Sequence, residues 1–370
     1  MSSPSHVCDF LTATNIGFYI QKKILSGWSC MASGIPNNLC STTAPWSGVS
    51  CKGGNVTAID FSSSSSSASG ALTGCIPTTF GYLHSLVYLS LAGNSFGGKG
   101  SSGALPTSIG YLTALTYLSI SGNQFNSIPD TIGQMTNLVR ISMNTNNIVG
   151  TIPTSIRNLN KLVSMDLSAN GFTGSIPSGM FSFPLSFLDL HQNCLVGSIP
   201  SPTGSLFTTL TYLDLTTNSL TGTLPISLGQ CSKLVTMSVQ GNSLRGTIPT
   251  AFNWRSMQYL SFEANRFTGP IPSVLSNLVS VGYLDLGFNC LQGTIPSSLA
   301  KLSSMTTLYI VSNSLTGSIP SQFCPPFSCH GRLDIEVAYL NPGVTCYPAC
   351  LTSASCSGIT GDFTISMKKC

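Results

Sequence analysis

The sequence predicts an α/β solenoid, a chain wound into successive coils that each stack on their neighbours. Three observations predict this fold class. One pattern of apolar residues around an asparagine recurs ten times, at steps of 23 to 25 residues with one step of 29. The 14 cysteines cluster mainly at the two ends of the chain, and charged residues make up only 7% of its 370 residues. Length alone would suggest two or three domains, but stacked repeats grow without that limit.

Each repeat contains one short strand. The positions eight, five and three before the asparagine and two after it are apolar in all ten copies. Apolar residues at positions five and three before it, separated by a variable residue, have the period of a strand with one buried face. We therefore expect one strand per coil, paired in parallel with the strands of neighbouring coils. The reference asparagines are Asn94, Asn123, Asn146, Asn170, Asn193, Asn218, Asn242, Asn265, Asn289 and Asn313.

The asparagine lies where the chain leaves the strand. A buried amide side chain there can bond backbone groups of adjacent coils that otherwise lack partners, so we expect the asparagines to form a spine along the coils. From Asn146 onward a glycine follows four residues later, and an Ile-Pro or Leu-Pro step comes soon after. Glycine permits a tight bend and proline fixes an extended segment that a helix cannot continue.

The consensus Leu-x-x-Leu-x-Leu-x-x-Asn-x-Leu-x-Gly-x-Ile-Pro resembles the plant-type extracellular leucine-rich repeat over residues 56 to about 322. The resemblance implies a curved, right-handed coil of about 11 repeats, with a concave parallel β-sheet and a second, partial strand near the Gly-x-Ile-Pro segment. The segment from Trp46 to Cys51 resembles the family's amino-terminal cap. The last turn, from Cys346 to Leu351, departs from the plant pattern and loosely resembles repeat proteins of algae and other protists.

We expect three regions: an amino-terminal cap with a helix and disulfides over 1–53, the solenoid over 54–322, and a Cys-rich carboxy-terminal cap over 323–370. Four cap cysteines allow three pairings, of which Cys40 with Cys51 and Cys8 with Cys30 is favoured; the six others allow fifteen, all left open. Disulfide caps at both ends indicate an oxidising compartment, so we expect a secreted protein whose signal peptide is absent from this numbering. The disulfide candidates are Cys8, Cys30, Cys40, Cys51, Cys324, Cys329, Cys346, Cys350, Cys356 and Cys370.

Composition excludes several classes of function. A net charge of +4, spread thinly over the chain, offers no basic stripe for nucleic acid, and no run of 18 apolar residues predicts a transmembrane helix. The one N-glycosylation sequon begins at Asn55. Ser168, His191 and Asp189 supply the residue types of a nucleophilic triad, but an open sheet provides no pocket and no nucleophile elbow, so we expect no enzyme. One histidine among carboxylates lacks ligand spacing, so we expect no metal and no cofactor.

The concave side is the candidate ligand-binding surface. Residues six, four and two positions before the asparagines face solvent there and form an aromatic column beside a Ser/Asp column. Tyrosine rings offer apolar faces and hydroxyl groups, which suit a protein, peptide or glycan partner. The candidate residues are Tyr117, Arg140, Asp166, Asp189, His191, Tyr212, Asp214, Tyr259, Glu263, Tyr283 and Asp285.

A second candidate surface is a hydroxyl ladder beside the Ile-Pro step. Regular hydroxyls at strand spacing suit an ordered lattice such as ice or crystalline polysaccharide, or self-association of the chain into an extracellular assembly or filament. The ladder consists of Thr151, Ser175, Ser198, Thr223, Thr247, Thr294 and Ser318. Of the single cysteines, we expect Cys231, Cys194 and Cys290 to be buried, because burial is the common fate of a free thiol.

Overall fold

The computed structural model describes residues 48–63, 71–76, 78–98, 103–323, 334–336 and 343–346. The predicted cap helix and nearly all of the two predicted caps lie outside these residues. The chain divides into two compact units. The amino-terminal unit comprises Met1–Leu185 and Gln192–Cys194, and the carboxy-terminal unit comprises Ser186–His191 and Leu195–Cys370.

A main sheet runs through the described coils of each unit. In the amino-terminal unit the first two strands form an antiparallel hairpin and the others are parallel. Its strands are Val49–Lys52, Asn55–Asp60, Tyr88–Ser90, Tyr117–Ser119, Arg140–Ser142 and Ser164–Asp166. In the carboxy-terminal unit all pairs are parallel. Its strands are Phe187–Asp189, Tyr212–Asp214, Thr236–Ser238, Tyr259–Ser261, Tyr283–Asp285, Thr307–Tyr309 and Asp334–Glu336. The predicted parallel solenoid sheet is confirmed.

Each three-residue strand ends in a left-handed turn. The residue directly before the asparagine has a positive φ in all ten repeats, between 50° and 70°. Only three of these ten residues are glycines, although an L side chain in this region costs about 1–2 kcal/mol. The turn therefore persists because the surrounding coils impose it. The ten residues are Gly93, Gly122, Thr145, Ala169, Gln192, Thr217, Gly241, Ala264, Phe288 and Ser312.

A second strand, of two to five residues, follows the turn in most coils, as the resemblance implied. In the amino-terminal unit these strands pair in parallel as Thr73–Gly74 with Ser95–Phe96 and Val149–Thr151 with Gly171–Thr173. In the carboxy-terminal unit Val196–Gly197 pairs with Ser219–Leu220. A five-stranded sheet consists of Arg245–Thr247, Arg266–Pro270, Cys290–Thr294, Ser314–Ser318 and Gly343–Cys346.

Between the second strand and the next strand of the main sheet, the chain forms a short helix. In most coils this helix is a single 3₁₀ turn directly after a proline. The residue before the helix has an extended backbone. Proline suits this position because its ring fixes φ at a value that the extended conformation allows, as at Pro225 (φ −61°). Neighbouring coils approach closely here: a Cβ added at Gly229 would overlap the carbonyl oxygen of Ala251 in the next coil. The 3₁₀ turns are Thr78–Tyr82, Thr107–Tyr111, Asp130–Gln134, Thr154–Asn158, Ser178–Ser182, Ile226–Gln230, Ser273–Asn277, Ser297–Lys301 and Ser321–Phe323; an α-helical turn spans Leu206–Thr209.

The asparagine spine is confirmed. Asn265 Oδ1 accepts from Leu244 N at 3.0 Å in the preceding coil, and Asn265 Nδ2 donates to Val239 O of that coil at 2.9 Å. The same amide also donates to two carbonyl oxygens of its own coil, 3.1 and 3.2 Å away. All ten asparagines bond the preceding coil in this way, Asn170 and Asn218 included. The inward apolar columns are buried around them, which places the core inside the coils.

Candidate ligand-binding surface

The strand register aligns the predicted solvent-facing columns. We call the open face the side of the main sheet that carries the residues six, four and two positions before each asparagine. On it Tyr117 is opposite Arg140 in the amino-terminal unit, and Tyr259 is opposite Tyr283 in the carboxy-terminal unit. Most candidate residues are half-buried, Arg140 is exposed, and Asp189 and Asp285 are buried. Whether these residues bind a ligand stays a prediction.

Aromatic rings stack in pairs along the open face. In the carboxy-terminal unit Phe187 stacks on Tyr212 with ring centroids 4.4 Å apart, and Tyr259 stacks on Tyr283 at 4.5 Å. Tyr309 meets Tyr283 edge-on at 5.8 Å. Stacked rings at strand spacing are the expected result of aromatic residues in register on neighbouring strands. Phe187 and Tyr309 are additional to the residues predicted from sequence, and their position in the aligned columns is the signal that identifies them.

The aspartates of the open face have a structural role in their own turns. One carboxylate oxygen accepts from the backbone N–H two residues later, as in Asp214 Oδ1 with Thr216 N (2.9 Å) and Asp285 Oδ1 with Gly287 N (2.9 Å). The other oxygen takes a tyrosine hydroxyl of the same strand. Tyr212 donates to Asp214 Oδ2 at 3.3 Å, and Tyr283 donates to Asp285 Oδ2 at 3.1 Å. The two strands therefore carry the same Tyr–Asp arrangement.

Glu263 is a further carboxylate on the open face of the carboxy-terminal unit. Glu263 Oε2 accepts from Gln240 Nε2 at 2.5 Å, so Gln240 adds a contact that the candidate set omitted. Burial, followed by the nearby charge of Asp285, raises the pKa of Glu263. Burial likewise raises the pKa of Asp285. The desolvated phenol of Tyr283, next to the carboxylate of Asp285, also has a raised pKa.

His191 and Asp189 form a close pair. His191 Nδ1 lies 2.6 Å from Asp189 Oδ1, and the backbone N–H of His191 donates to the same oxygen at 3.0 Å. Burial raises the pKa of Asp189, which is 6% exposed. Asp214 brings a third ligand-type atom within 4.8 Å of the other two. Ser168, the third residue type of the triad weighed above, is buried and donates to Asp166 Oδ1 at 2.6 Å. The expectations of no catalysis and no metal stay predictions.

The hydroxyl ladder is exposed, but its members do not lie directly beside one another. The register between neighbouring second strands is staggered by two residues. A threonine of the ladder therefore lies beside the threonine that precedes the glycine of the next coil. Their methyl groups also pack between coils: a Cβ added at Gly246 would lie 2.9 Å from Thr223 Cγ2. The register pairs Thr151 with Thr173, Thr247 with Thr268, and Thr294 with Thr316.

The cysteines partly correct the expectation from sequence. Cys231 is buried as expected, but Cys194 and Cys290 are exposed and free. Both follow their asparagine directly and take the outward position of the turn, so the expectation of burial was wrong for them. Cys51 is disulfide-bonded; its favoured partner Cys40 lies outside the described residues, so the pairing stays a prediction.

Two further expectations concern glycosylation at Asn55 and membrane-spanning helices. Asn55 is half-buried at the start of its strand, and its glycosylation stays a prediction. Among the described residues there is no helix with the length and apolar character needed to cross a bilayer.

Family models of the leucine-rich repeat match this chain. One, described as leucine rich repeat, covers residues 113–172, and a second of the same description covers residues 209–231, 256–278 and 280–302. These matched stretches coincide with coils described above. The fold of this chain is therefore that of a leucine-rich-repeat solenoid. No curated protein sequence matches the chain.

Solved structures share the fold. The leucine-rich-repeat ectodomain of the membrane receptor kinase GASSHO1/SCHENGEN3 from Arabidopsis thaliana, in complex with CASPARIAN STRIP INTEGRITY FACTOR 2, is 30% identical at a TM-score of 0.77 over 90% of this chain and 38% of that chain. The plant peptide hormone receptor RGFR1 in complex with RGF2 is 29% identical at 0.65, over 72% of this chain and 50% of that chain. This chain thus matches only two fifths to half of those receptor chains. A plant ice-binding protein, 23% identical at 0.57 over 86% and 89%, shares the fold alone.

Proposed function

We propose that this leucine-rich-repeat chain is a non-enzymatic, extracellular recognition protein that binds an extended peptide segment along the open face of its carboxy-terminal unit. The observation that carries the proposal is the pair of stacked aromatic sets, Phe187 with Tyr212 and Tyr259 with Tyr283, bordered by carboxylates. Rings that keep a solvent-facing side provide apolar contact area at little cost in side-chain entropy. The carboxylates and hydroxyls beside them supply the hydrogen bonds that fix orientation.

The shape of the surface favours an elongated partner. Strands in register repeat the same columns at intervals of about 4.8 Å, so a ligand lying across them meets a similar set of groups at each coil. An extended peptide presents its own groups at regular intervals and matches such a surface better than a compact molecule does. The likeness to RGFR1, a peptide hormone receptor, supports the same class of partner. Glycan binding remains the alternative for the same face.

A structural role in an extracellular assembly is the second candidate, because all seven residues of the hydroxyl ladder are exposed. Sedimentation across a wide concentration range tests it, and a monodisperse monomer throughout would exclude it. An algal or protist source, which rests on the segment from Cys346 to Leu351, stays a proposal, as does secretion.

Selection from a phage-displayed library of random peptides tests the proposed function. We expect the wild-type protein to enrich peptides that bind it. The double variant Tyr212→Ala/Tyr259→Ala should bind these peptides at least about tenfold more weakly, because tyrosines that become buried on binding are typical anchors of interfaces. Tyr111→Ala is the matched control, since Tyr111 is 51% exposed on a 3₁₀ turn away from the open face. The proposal fails if no peptide is enriched, or if the double variant binds like Tyr111→Ala while its melting curve is unchanged.

A further inference from the structure

Two places on the open face of the carboxy-terminal unit have the same construction. In each, a tyrosine stacks on a ring of the preceding aromatic strand and donates its hydroxyl to the aspartate two residues later. The first subsite consists of Phe187, Tyr212 and Asp214. The second subsite consists of Tyr259, Tyr283, Asp285 and, beside them, Glu263. A ring face next to a carboxylate is a combination that attracts cations, because the quadrupole of the ring and the anion act in the same direction.

The charge of this face is one-sided. The three open-face columns between Phe187 and Val311 contain Asp189, Asp214, Glu263 and Asp285 but no lysine or arginine, although the chain as a whole has a net charge of +4. Within the described residues no lysine or arginine pairs with the carboxylates of either subsite. The open face of the amino-terminal unit differs, since Arg140 there accompanies Asp166.

In the second subsite, burial disfavours the ionised form of the two carboxyl groups, and a bound cation would favour it. Burial raises the pKa values of Glu263 and Asp285, so the folded state binds protons more tightly than the unfolded chain. A raised carboxyl pKa favours folding below the unfolded value, about 4 for these groups, and that contribution is lost as pH rises through the folded value. The ionised form of these groups therefore costs stability, and an amide of the same shape would avoid this cost. A bound cation would offset it by pairing with the charge.

The spacing of the subsites fits an extended chain. The register runs from Tyr212 through Thr236 and Tyr259 to Tyr283, which places the two tyrosines three strands apart. At about 4.8 Å per strand this is about 14 Å. An extended peptide rises about 3.4 Å per residue, so side chains four residues apart point the same way and lie about 13–14 Å apart.

We propose that the two subsites bind two cationic side chains, lysine or arginine, placed four residues apart in an extended peptide. This inference rests on the proposed function and specifies its partner. In the first subsite the cation contacts Asp214 and the face of the Tyr212 ring that is not stacked on Phe187. In the second subsite Tyr259 and Tyr309 both contact the Tyr283 ring, so the cation contacts Glu263 and the hydroxyl oxygen of Tyr283, with Asp285 beneath. Because both contacts are electrostatic and partly exposed, the affinity falls as salt concentration rises.

Synthetic peptides test this directly. The probe is a fluorescein-labelled peptide of Gly, Ser and Thr with two lysines four residues apart, measured by fluorescence anisotropy. The controls are the isomer with lysines three apart, which point to opposite sides, and a peptide in which 6-hydroxynorleucine, a neutral side chain of equal length that ends in a hydroxyl, replaces both lysines. We expect the first peptide to bind at least about tenfold more tightly than either control. Equal binding of the two lysine isomers would overturn the proposed spacing.

Matched variants locate the binding. Asp214→Asn keeps the acceptor for Thr216 N, and Glu263→Gln keeps the contact with Gln240; we expect each to weaken binding of the probe about tenfold. Asp130→Asn removes the same charge from an exposed 3₁₀ turn and leaves binding unchanged. Glu263→Gln is also expected to be at least as stable as wild type at neutral pH, which separates lost binding from misfolding. If the first two variants bind the probe like Asp130→Asn, the proposal is wrong.

The peptide selection distinguishes failure of the cationic subsites from failure of the proposed peptide-binding function. Enriched peptides without paired basic residues, still lost on the Tyr212→Ala/Tyr259→Ala variant, would overturn the cationic subsites and leave the peptide-binding function in place. Failure to enrich any peptide would overturn both.

Discussion

Replacing Asn265 by alanine tests whether the asparagine spine holds the coils together. The amide of Asn265 joins Leu244 N and Val239 O of the preceding coil, and it lies in a site that is 8% exposed. Alanine leaves that backbone donor and that acceptor without the amide, in a space too enclosed for free hydration. Each buried polar group left unsatisfied costs about 1–3 kcal/mol, so we expect the free energy of unfolding to fall by about 2–6 kcal/mol.

Urea unfolding followed by circular dichroism measures this loss as a lower midpoint at an unchanged slope. Asn265→Asp is the informative second variant. It keeps the acceptor for Leu244 N but presents an oxygen to three carbonyl oxygens, so it should be destabilising at neutral pH and partly recover on acidification, when a protonated carboxyl donates one hydrogen bond. A loss below about 0.5 kcal/mol for Asn265→Ala, the range of an ordinary surface substitution, would refute the reasoning.

Three further predictions follow from the backbone and the thiols. Ala264→Gly should raise the free energy of unfolding by about 0.5–1 kcal/mol, because Ala264 has a φ of 51°; a loss in denaturant unfolding would contradict it. Gly229→Ala should destabilise by about 2 kcal/mol or more, because the new methyl overlaps a backbone carbonyl of the next coil; an unchanged melting temperature would show that the coils adjust freely. Iodoacetamide at about pH 8 should label Cys194 and Cys290 in the native protein, but Cys231 only after unfolding, since burial raises the pKa of its thiol to about 11; mass spectrometry that finds equal labelling would rule this out.

The periodicity of the sequence predicts which residues of each repeat are buried. It predicts less about the conformation and contacts of the residues that face solvent. Leu188, Leu213 and Leu260 follow from the pattern alone, because any change of register would expose them. The asparagine spine follows from the same pattern, since one amide side chain per coil at a regular spacing indicates hydrogen bonds between neighbouring coils. The left-handed conformation of Phe288 does not follow, because its residue type argues against a positive φ and only the neighbouring coils impose it.

The candidate surface, too, is predictable in part. Its columns are predictable, since the strand period assigns every second residue to solvent. The pairing of Phe187 with Tyr212, and the hydroxyl of Tyr283 on Asp285, depend on ring orientation and on which strands adjoin, which a pattern of residue types does not record. The hydroxyl ladder shows the same limit: equal spacing along the sequence does not place Thr294 beside Ser318 of the next coil, because the second strands are staggered and Thr294 adjoins Thr316.

The spine also gives the solenoid a direction of assembly. Every asparagine completes the hydrogen bonds of the coil before its own and never those of the coil after it, so a coil is finished only by residues about one repeat downstream, 23 to 25 positions later in most of the chain. During ribosomal synthesis the newest coil is therefore always incomplete. We expect arrested nascent chains of increasing length to gain protease resistance in steps that trail the emerged sequence by one repeat, and resistance that keeps pace with emergence would contradict this order.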